Sequence, residues 1–197
     1  MVSDPALQWL LTIAFSATGL YAAVRVAVDR APLLVVGHAL HLAMSAGMVA
    51  MCWPWWAAIP AAPQLAVFGA AGTWFAGLIA LQLARRVPRA AVGGHSPWHQ
   101  AAHAIMMLGM VWMTASMGVG QEPGDHGHHH GGALALWASL SGVALTAALL
   151  VAGVLFLVEL VVGLRGRRTW LGHTGDVAAG TVMSFGMAAM CWPMITG

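Results

Sequence analysis

The sequence predicts an all-α membrane protein whose single domain, residues 1–197, crosses a bilayer with six helices. The first observation is composition: 60% of the residues are hydrophobic and 7% are charged, whereas soluble domains carry about 25% charged residues. The second observation is length, because six apolar stretches match the ~20 residues that a helix needs to cross the hydrocarbon core. An ordinary soluble domain is therefore excluded.

Helix-start signals support these spans, which are predicted at about residues 6–28, 33–53, 64–84, 98–119, 134–163 and 174–195. Asp4 and Ser96 each cap a helix that starts with proline, and Pro32 and Pro63 stand where a missing N–H costs nothing. The start of the chain lacks the basic segment that opens a signal peptide, so the first apolar stretch is kept as a span.

The arginines predict which side of the membrane each turn faces. They lie in alternate turns: Arg25 and Arg30 in the first, Arg85, Arg86 and Arg89 in the third, and Arg165, Arg167 and Arg168 in the fifth. Because basic loops stay in the cytoplasm, these three turns are expected inside the cell. Both termini are then expected on the outer side.

An internal repeat links the even-numbered helices. Residues 44–54 of the second helix and 183–193 of the sixth are nearly identical, and the fourth helix carries a fainter copy. In this register Met106, Met110 and Met113 match Met44, Met48 and Met51, and His103 matches His41. The chain is therefore predicted to form three helix hairpins, repeated in parallel around an axis along the membrane normal.

Every methionine except Met1 lies on these three helices, and the methionines share one face with histidine. A methionine stripe alone is typical of core packing, but packing does not require histidine, whose burial in a membrane is costly and usually functional. Thioethers favour Cu(I), and imidazole binds copper in both oxidation states. The candidate ligands are His38, His41, His99, His103, Met44, Met48, Met106, Met110, Met113, Met183, Met187 and Met190.

Three further residues lie near the predicted cytoplasmic ends of the spans, namely Glu159, His173 and Asp176. They are expected to contact the metal ligands and to support them. The two acids are also expected to pair with the nearby arginines Arg165, Arg167 and Arg168, because an acid at a helix end reaches such partners cheaply. A role in proton or cation binding is the alternative.

Two candidate features lie toward the outer side. Cys52 and Cys191 occupy the same position in two copies of the repeat, where a disulfide is allowed; paired copper ligation and two unpaired buried thiols are the alternatives. The predicted outer loop at residues 120–132 is rich in glycine and histidine. Such tracts bind Cu, Zn or Ni, so the loop is either a site of metal capture or simply solvated; its histidines are His126, His128, His129 and His130.

Three motifs carry a family resemblance: His38-x-x-His41-x-x-Met44, Met-x-x-Met-Cys-Trp-Pro, and Trp98-His99-x-x-x-His103. Together they resemble a domain-of-unknown-function family of small six-span integral membrane proteins from high-GC Gram-positive bacteria. The resemblance implies six spans and a place in the bacterial inner membrane, and it implies no activity.

The leading functional hypothesis is an integral membrane copper-binding protein for copper acquisition, transfer or delivery to a copper chaperone or cuproenzyme. The alternative is a redox protein that holds a single b-type haem through His41 and His103 or a methionine. The third is a structural or assembly subunit, in which methionine and small residues only pack helices. A homo-oligomer is compatible with each hypothesis, and nucleic acid is not an expected partner. No nucleotide-binding motif, nucleophile elbow or HExxH motif occurs, so an enzyme is not favoured.

Overall fold

The computed structural model describes residues 4–118, 131–165 and 170–196, and this part of the chain contains helices and turns but no strand. The six long helices are α1 Pro5–Val28, α2 Pro32–Met51, α3 Ala61–Leu83, α4 Pro97–Gly118, α5 Gly131–Arg165 and α6 Gly175–Thr196. Short 3-10 helices at Pro54–Ala58 and Arg89–Val92 and a π-helical turn at Trp170–Thr174 complete it. The six-helix prediction is confirmed, with the largest differences at the starts of α3 (64 against 61) and α5 (134 against 131).

Capping explains where the first helices begin. Asp4 Oδ1 accepts a hydrogen bond from the Ala6 N–H at 2.8 Å, ahead of a proline at the first helical position of α1. Pro32 likewise stands at the start of α2, although its N-cap residue, Ala31, makes no side-chain hydrogen bond. The prediction for α3 was three residues late, because Pro63 lies inside its first turn. Proline is tolerated there since first-turn N–H groups have no partner within the helix.

The helices identify a membrane protein. Five of them, all except α4, contain a segment long and apolar enough to cross a membrane. Large apolar side chains cover much of their outer surface, as Leu20 of α1 and Trp137 of α5 illustrate, and such a surface suits lipid and not water. α4 is as long as α2 but carries His99, Gln100 and His103 near its start, which makes it less apolar.

The helices pack as three hairpins, A (α1 with α2), B (α3 with α4) and C (α5 with α6). Between hairpins, α1 packs against α6 and α4 against α5. α2, α4 and α6 contribute most of the fully buried core, which is rich in methionine. The three hairpins predicted from the repeat are therefore present.

The thioether methyls lock neighbouring hairpins together at equivalent glycines of the repeat. A Cβ added to Gly47 of hairpin A would lie 2.8 Å from Met110 Cε of hairpin B. A Cβ added to Gly109 of hairpin B would likewise lie 2.8 Å from Met187 Cε of hairpin C. Each glycine thus allows a methyl group to touch the backbone of the preceding hairpin.

Aromatic rings from the odd-numbered helices complete the same contacts. Phe68 of α3 also covers Gly47, with Cζ 2.9 Å from the position of an added Cβ. Phe15 of α1 covers Gly186, the matching glycine of α6. Hairpin B thus packs on A, C packs on B and A packs on C, which closes a ring.

Candidate metal centre at the histidine end

Six of the ten histidines gather at one end of the bundle, called here the histidine end, where α2, α4 and α6 begin. Because these helices run in parallel, their early turns meet at one level. The opposite end, where α2 and α6 finish, carries Cys52 and Cys191 and is called the cysteine end. The six histidines are His38, His41, His95, His99, His103 and His173, and the acids beside them are Asp29, Glu159 and Asp176.

His41 of α2 and His103 of α4 are in direct contact. Their ring centroids lie 4.4 Å apart at an interplanar angle of 67°, and the ring of Phe75 lies against His103 at 5.2 Å. His41 Nε2 and His103 Nδ1 are buried and have no hydrogen-bond partner among the described residues. The repeat predicted that these residues share a level, and the structure also brings their rings together.

The third equivalent position of the repeat lacks an imidazole. α6 has Gly180 there, and the ring of Phe156 lies 3.0 Å from the position of an added Cβ. The same ring stacks on His103 with centroids 6.1 Å apart. The core of the histidine end is therefore a pair of imidazoles walled by an aromatic ring.

A small cavity opens beside this pair. Its volume is about 40 Å³, and its polar lining includes His38, His41, His95, His103 and Asp176. A single water needs roughly 10–15 Å³ measured in this way. The cavity therefore has room for a metal ion or a few waters, and nitrogen and carboxylate atoms are available around it.

A second cluster lies next to the pair. His95, His99 and His173 each offer a ring nitrogen, and these nitrogens lie within 4.8 Å of one another. Glu159 bridges two of them: its Oε1 lies 2.7 Å from His173 Nε2 and its Oε2 lies 3.1 Å from His99 Nε2. Three imidazoles and one carboxylate therefore converge.

Asp176 links His95 of the second cluster to His38, which lines the cavity beside the imidazole pair. Its Oδ2 lies 3.2 Å from His95 Nε2, and its Oδ1 accepts a hydrogen bond from the Tyr21 hydroxyl at 2.8 Å. Asp176 Oδ1 also lies 4.0 Å from His38 Nε2. The same nitrogen of His38 is 3.1 Å from Asp29 Oδ2. Asp29 and Asp176 thus join His38 of α2 and His95 of the turn before α4 in one chain of contacts.

The described residues show no contact between the two acids and the arginine partners expected from the sequence. Glu159 and Asp176 contact histidines instead, and no described contact joins either of them to Arg165, which is exposed. Both side chains point toward the interior of the bundle, where the histidines lie. The other two candidate partners, Arg167 and Arg168, lie outside the described residues.

The predicted methionine ligands all lie in the buried core, from Met44 to Met190. Two of them are held by hydroxyl groups from the repeat. The Ser45 hydroxyl donates to Met183 Sδ at 3.9 Å, and the Ser184 hydroxyl donates to Met106 Sδ at the same distance. The structure therefore gives these thioethers a packing role, whether or not they also meet a metal.

The two candidate features that were expected on the outer side are less informative. Cys52 and Cys191 are buried and free, so the disulfide considered from the sequence is not formed. The Cys52 thiol instead donates to the Met48 carbonyl oxygen at 3.3 Å. The loop histidines, His126 and His128 to His130, lie outside the described residues.

Sequence reasoning missed His95, which lies in the turn before α4. Gly93 and Gly94 have φ angles of +70° and +84°, a conformation that favours glycine and turns the chain back into the bundle. Gln82 then holds the segment by donating to the His95 carbonyl oxygen at 3.2 Å. The one signal in the sequence was spacing, because His95 precedes His99 by four residues. Asp29, which ends α1, was missed for the same reason: it lies outside the spans.

Comparisons with known proteins add a family. Residues 33–190, which contain all six histidines of the histidine end, match the family described as "Domain of unknown function (DUF5134)". Similar proteins include the uncharacterized proteins Rv0970 of Mycobacterium tuberculosis and Mb0995 of Mycobacterium bovis. Each is 33% identical over 118 residues, which is 59% of this chain and 52% of the relative. The chain thus spans about half the length of the curated relatives it matches, and no solved structure matches it significantly.

Proposed function

This chain belongs to the DUF5134 family, as its motifs predicted, and since that family description assigns no activity, we propose a function from the site itself: an integral membrane copper-binding protein. Its work is the acquisition, transfer or delivery of copper in the bacterial inner membrane. The histidine end faces the cytoplasm in this proposal, because the basic turns lie at that end, and both termini face outward.

One observation carries the proposal: two buried imidazole nitrogens in adjacent rings, His41 Nε2 and His103 Nδ1, lack hydrogen-bond partners in the described chain. A buried polar atom without a partner costs about 1–3 kcal/mol, and each such atom in a native protein calls for an explanation. A metal ion bound by both nitrogens removes this cost at both positions. The cavity of about 40 Å³ beside the pair leaves room for it.

The residues next along α2 and α4 favour copper among the metals that imidazole binds. Met44 and Met106 each follow the histidine by three residues, which is a rise of about 4.5 Å along the helix. A metal that leaves the imidazole pair toward the cysteine end therefore meets thioethers, which favour Cu(I). Neutral ligands also allow a monovalent ion to sit inside the bundle without a charged side chain at mid-membrane.

The alternative of a single b-type haem has weaker support. Two axial histidines must lie on opposite faces of the macrocycle, whereas the rings of His41 and His103 touch each other edge to face. The neighbouring cavity of about 40 Å³ is also far smaller than a porphyrin. These residues do not fit haem b.

A structural role for the methionines is compatible with copper binding. The methyl groups of Met110 and Met187 pack on Gly47 and Gly109 of neighbouring hairpins. If packing is their only role, the chain is an assembly subunit and the imidazole pair is dispensable. Replacing the pair therefore separates the two functions.

The test is copper content. Detergent-purified protein is loaded anaerobically with Cu(I), passed through a Cu(I) chelator, and analysed for metal. Near-stoichiometric copper is expected in the native chain, and the double variant His41→Phe with His103→Phe, which keeps two flat rings but removes the nitrogens, is expected to lose it.

A second variant removes the copper that the loop histidines could bind. Changing the four loop histidines (His126, His128, His129 and His130) to Gln eliminates copper held by that tract, and the copper that remains belongs to the bundle. The proposal fails if this loop variant holds no copper after loading, or if the double variant of the pair holds as much as the native chain.

A further inference from the structure

The cluster of His95, His99, His173 and Glu159 has a different chemistry from the imidazole pair. The pair has neutral nitrogens alone, whereas this cluster adds a carboxylate that already lies 2.7 Å and 3.1 Å from two of the imidazoles. Its three ring nitrogens lie within 4.8 Å of one another. Ligands about 2.0–2.1 Å from a tetrahedral zinc ion stand roughly 3.4 Å apart, so the ring nitrogens need to approach one another by at most about 1.4 Å.

Two of the imidazoles each use one ring nitrogen to contact a side chain that lies outside the cluster. His95 Nε2 faces Asp176 Oδ2 at 3.2 Å, and its Nδ1 is buried without a partner among the described residues. His99 Nδ1 bonds to the Ser96 hydroxyl at 2.9 Å, and its Nε2 faces Glu159 without a hydrogen bond. Metal-binding histidines characteristically use one nitrogen for the ion and the other for a supporting carboxylate or hydroxyl.

We propose that His95, His99, His173 and Glu159 form a second metal site, which binds a divalent ion of the Zn²⁺, Co²⁺ and Cu²⁺ class. Imidazole with a carboxylate suits such borderline ions, whereas Cu(I) prefers sulfur. Glu159 is the fourth ligand, and Asp176 is the positioning residue for His95. One carboxylate at the ion and one behind it balance its two positive charges, which the neutral imidazole pair does not do.

The site is open to exchange from the surface of the histidine end. The side chains of His173 and Glu159 are 25% and 30% exposed, whereas that of His99 is 5% exposed. An ion therefore reaches the outer two ligands first and the inner ones afterwards. The four ligands come from α4 with the turn before it, from α5, and from the π-helical turn before α6, so the bound ion also joins hairpins B and C.

The test uses Co²⁺ as a spectroscopic probe of the purified full chain. One equivalent of Co²⁺ is expected to give the intense visible absorption of a four-coordinate site, and Zn²⁺ is expected to abolish it by displacement. Glu159→Gln and His173→Gln should each weaken Co²⁺ binding at least about tenfold. Both side chains are partly exposed, so these variants are expected to fold, and they change two different elements.

Matched controls locate the ion. Asp29→Asn removes a carboxylate that contacts His38 and Arg25 but not the cluster, and it should leave the Co²⁺ spectrum intact. Asp176→Asn should shift the spectrum without abolishing it, because the neutral amide still orients His95. The proposal is overturned if native protein shows no four-coordinate Co²⁺ spectrum, or if Glu159→Gln and His173→Gln both leave affinity and spectrum unchanged.

The two metal proposals fail separately. The double variant His41→Phe with His103→Phe should keep the Co²⁺ spectrum while losing Cu(I). If native protein binds Co²⁺ but no Cu(I), the copper proposal is refuted and the divalent site remains. If native protein binds Cu(I) but never Co²⁺, the divalent site is refuted and the copper proposal remains.

Discussion

The terminal methyl of Met110 lies against the backbone of Gly47. Its Cε is 2.8 Å from the position that a Cβ at that glycine would take. The contact joins α4 to α2, and the equivalent contact of Met187 with Gly109 joins α6 to α4. The methionines therefore join the hairpins by packing their terminal methyl groups against glycine residues.

Gly47→Ala is expected to destabilise the bundle by about 1–3 kcal/mol, the usual cost of overpacking a core. Met110 can move its flexible end, but the buried ring of Phe68 lies 2.9 Å from the same position and has little room to retreat. Thermal denaturation in detergent, followed by tryptophan fluorescence, measures the loss. Gly77→Ala is the matched control, since nothing lies within 4 Å of that position on α3; its stability should be unchanged or higher by up to about 1 kcal/mol. Equal behaviour of the two variants would contradict the packing role.

Cu(I) is expected to raise the melting temperature of native protein but not that of the double variant His41→Phe with His103→Phe. A ligand that binds only the folded chain stabilises it by about 2.7 kcal/mol at a free concentration 100-fold above its Kd. The measurement is a denaturation curve in a Cu(I) buffer set by a competing chelator. An equal shift in both proteins would mean that copper binds elsewhere.

Tyr21→Phe is expected to cost about 1 kcal/mol, because it removes the hydroxyl that donates to Asp176 Oδ1 at 2.8 Å and lies 3.1 Å from the Gly172 carbonyl oxygen. Combined with Asp176→Asn, the two losses should not add, and a coupling of about 0.5 kcal/mol or more is expected for residues in contact. A double-mutant cycle in a denaturant titration measures it. Thr73→Ala is the control, because the exposed Thr73 hydroxyl bonds only within its own helix. Strict additivity would mean that the Tyr21 hydroxyl and the Asp176 carboxylate are not energetically coupled.

Both termini are expected outside the cytoplasm and the arginine turns inside. In a background without Cys52 and Cys191, Asp4→Cys should react with a membrane-impermeant maleimide in intact cells. Arg86→Cys should react only after the membrane is made permeable. Both positions are exposed, so reactivity reports their side of the membrane. Labelling of Arg86→Cys in intact cells would invert the proposed topology.

The sequence predicted the helices and the level of the imidazole pair because both depend on local periodicity. A helix fixes where a residue lies along its own axis, and the repeat aligned α2 with α4, so His41 and His103 were predicted at the same level before their rings were seen to touch. Glycine at position 180 of α6 could also be read from the repeat. The sequence could not predict that the ring of Phe156 covers Gly180, because that contact depends on how α5 and α6 pack in hairpin C.

The rest of the site depends on tertiary closure. His95 enters the bundle through a turn whose path is set by two glycines with positive φ, and a periodic pattern does not describe such a turn. Glu159 and Asp176 were assigned arginine partners from proximity in sequence. They face histidines instead because the interior of the bundle, and not the chain neighbourhood, determines what a buried acid meets.

The closure of the ring has a consequence for biosynthesis. Phe15, on α1, completes its packing on Gly186 of α6, which is synthesised after the other five helices. Two inserted hairpins therefore leave that ring facing lipid or an insertion partner until α6 is made. The imidazole pair of α2 and α4 exists at that stage, but His173 and Asp176 do not. Cells that produce a chain cut before α5, and so without Glu159 and His173, should therefore contain a degradation-prone fragment that can hold copper at most and has no complete divalent site.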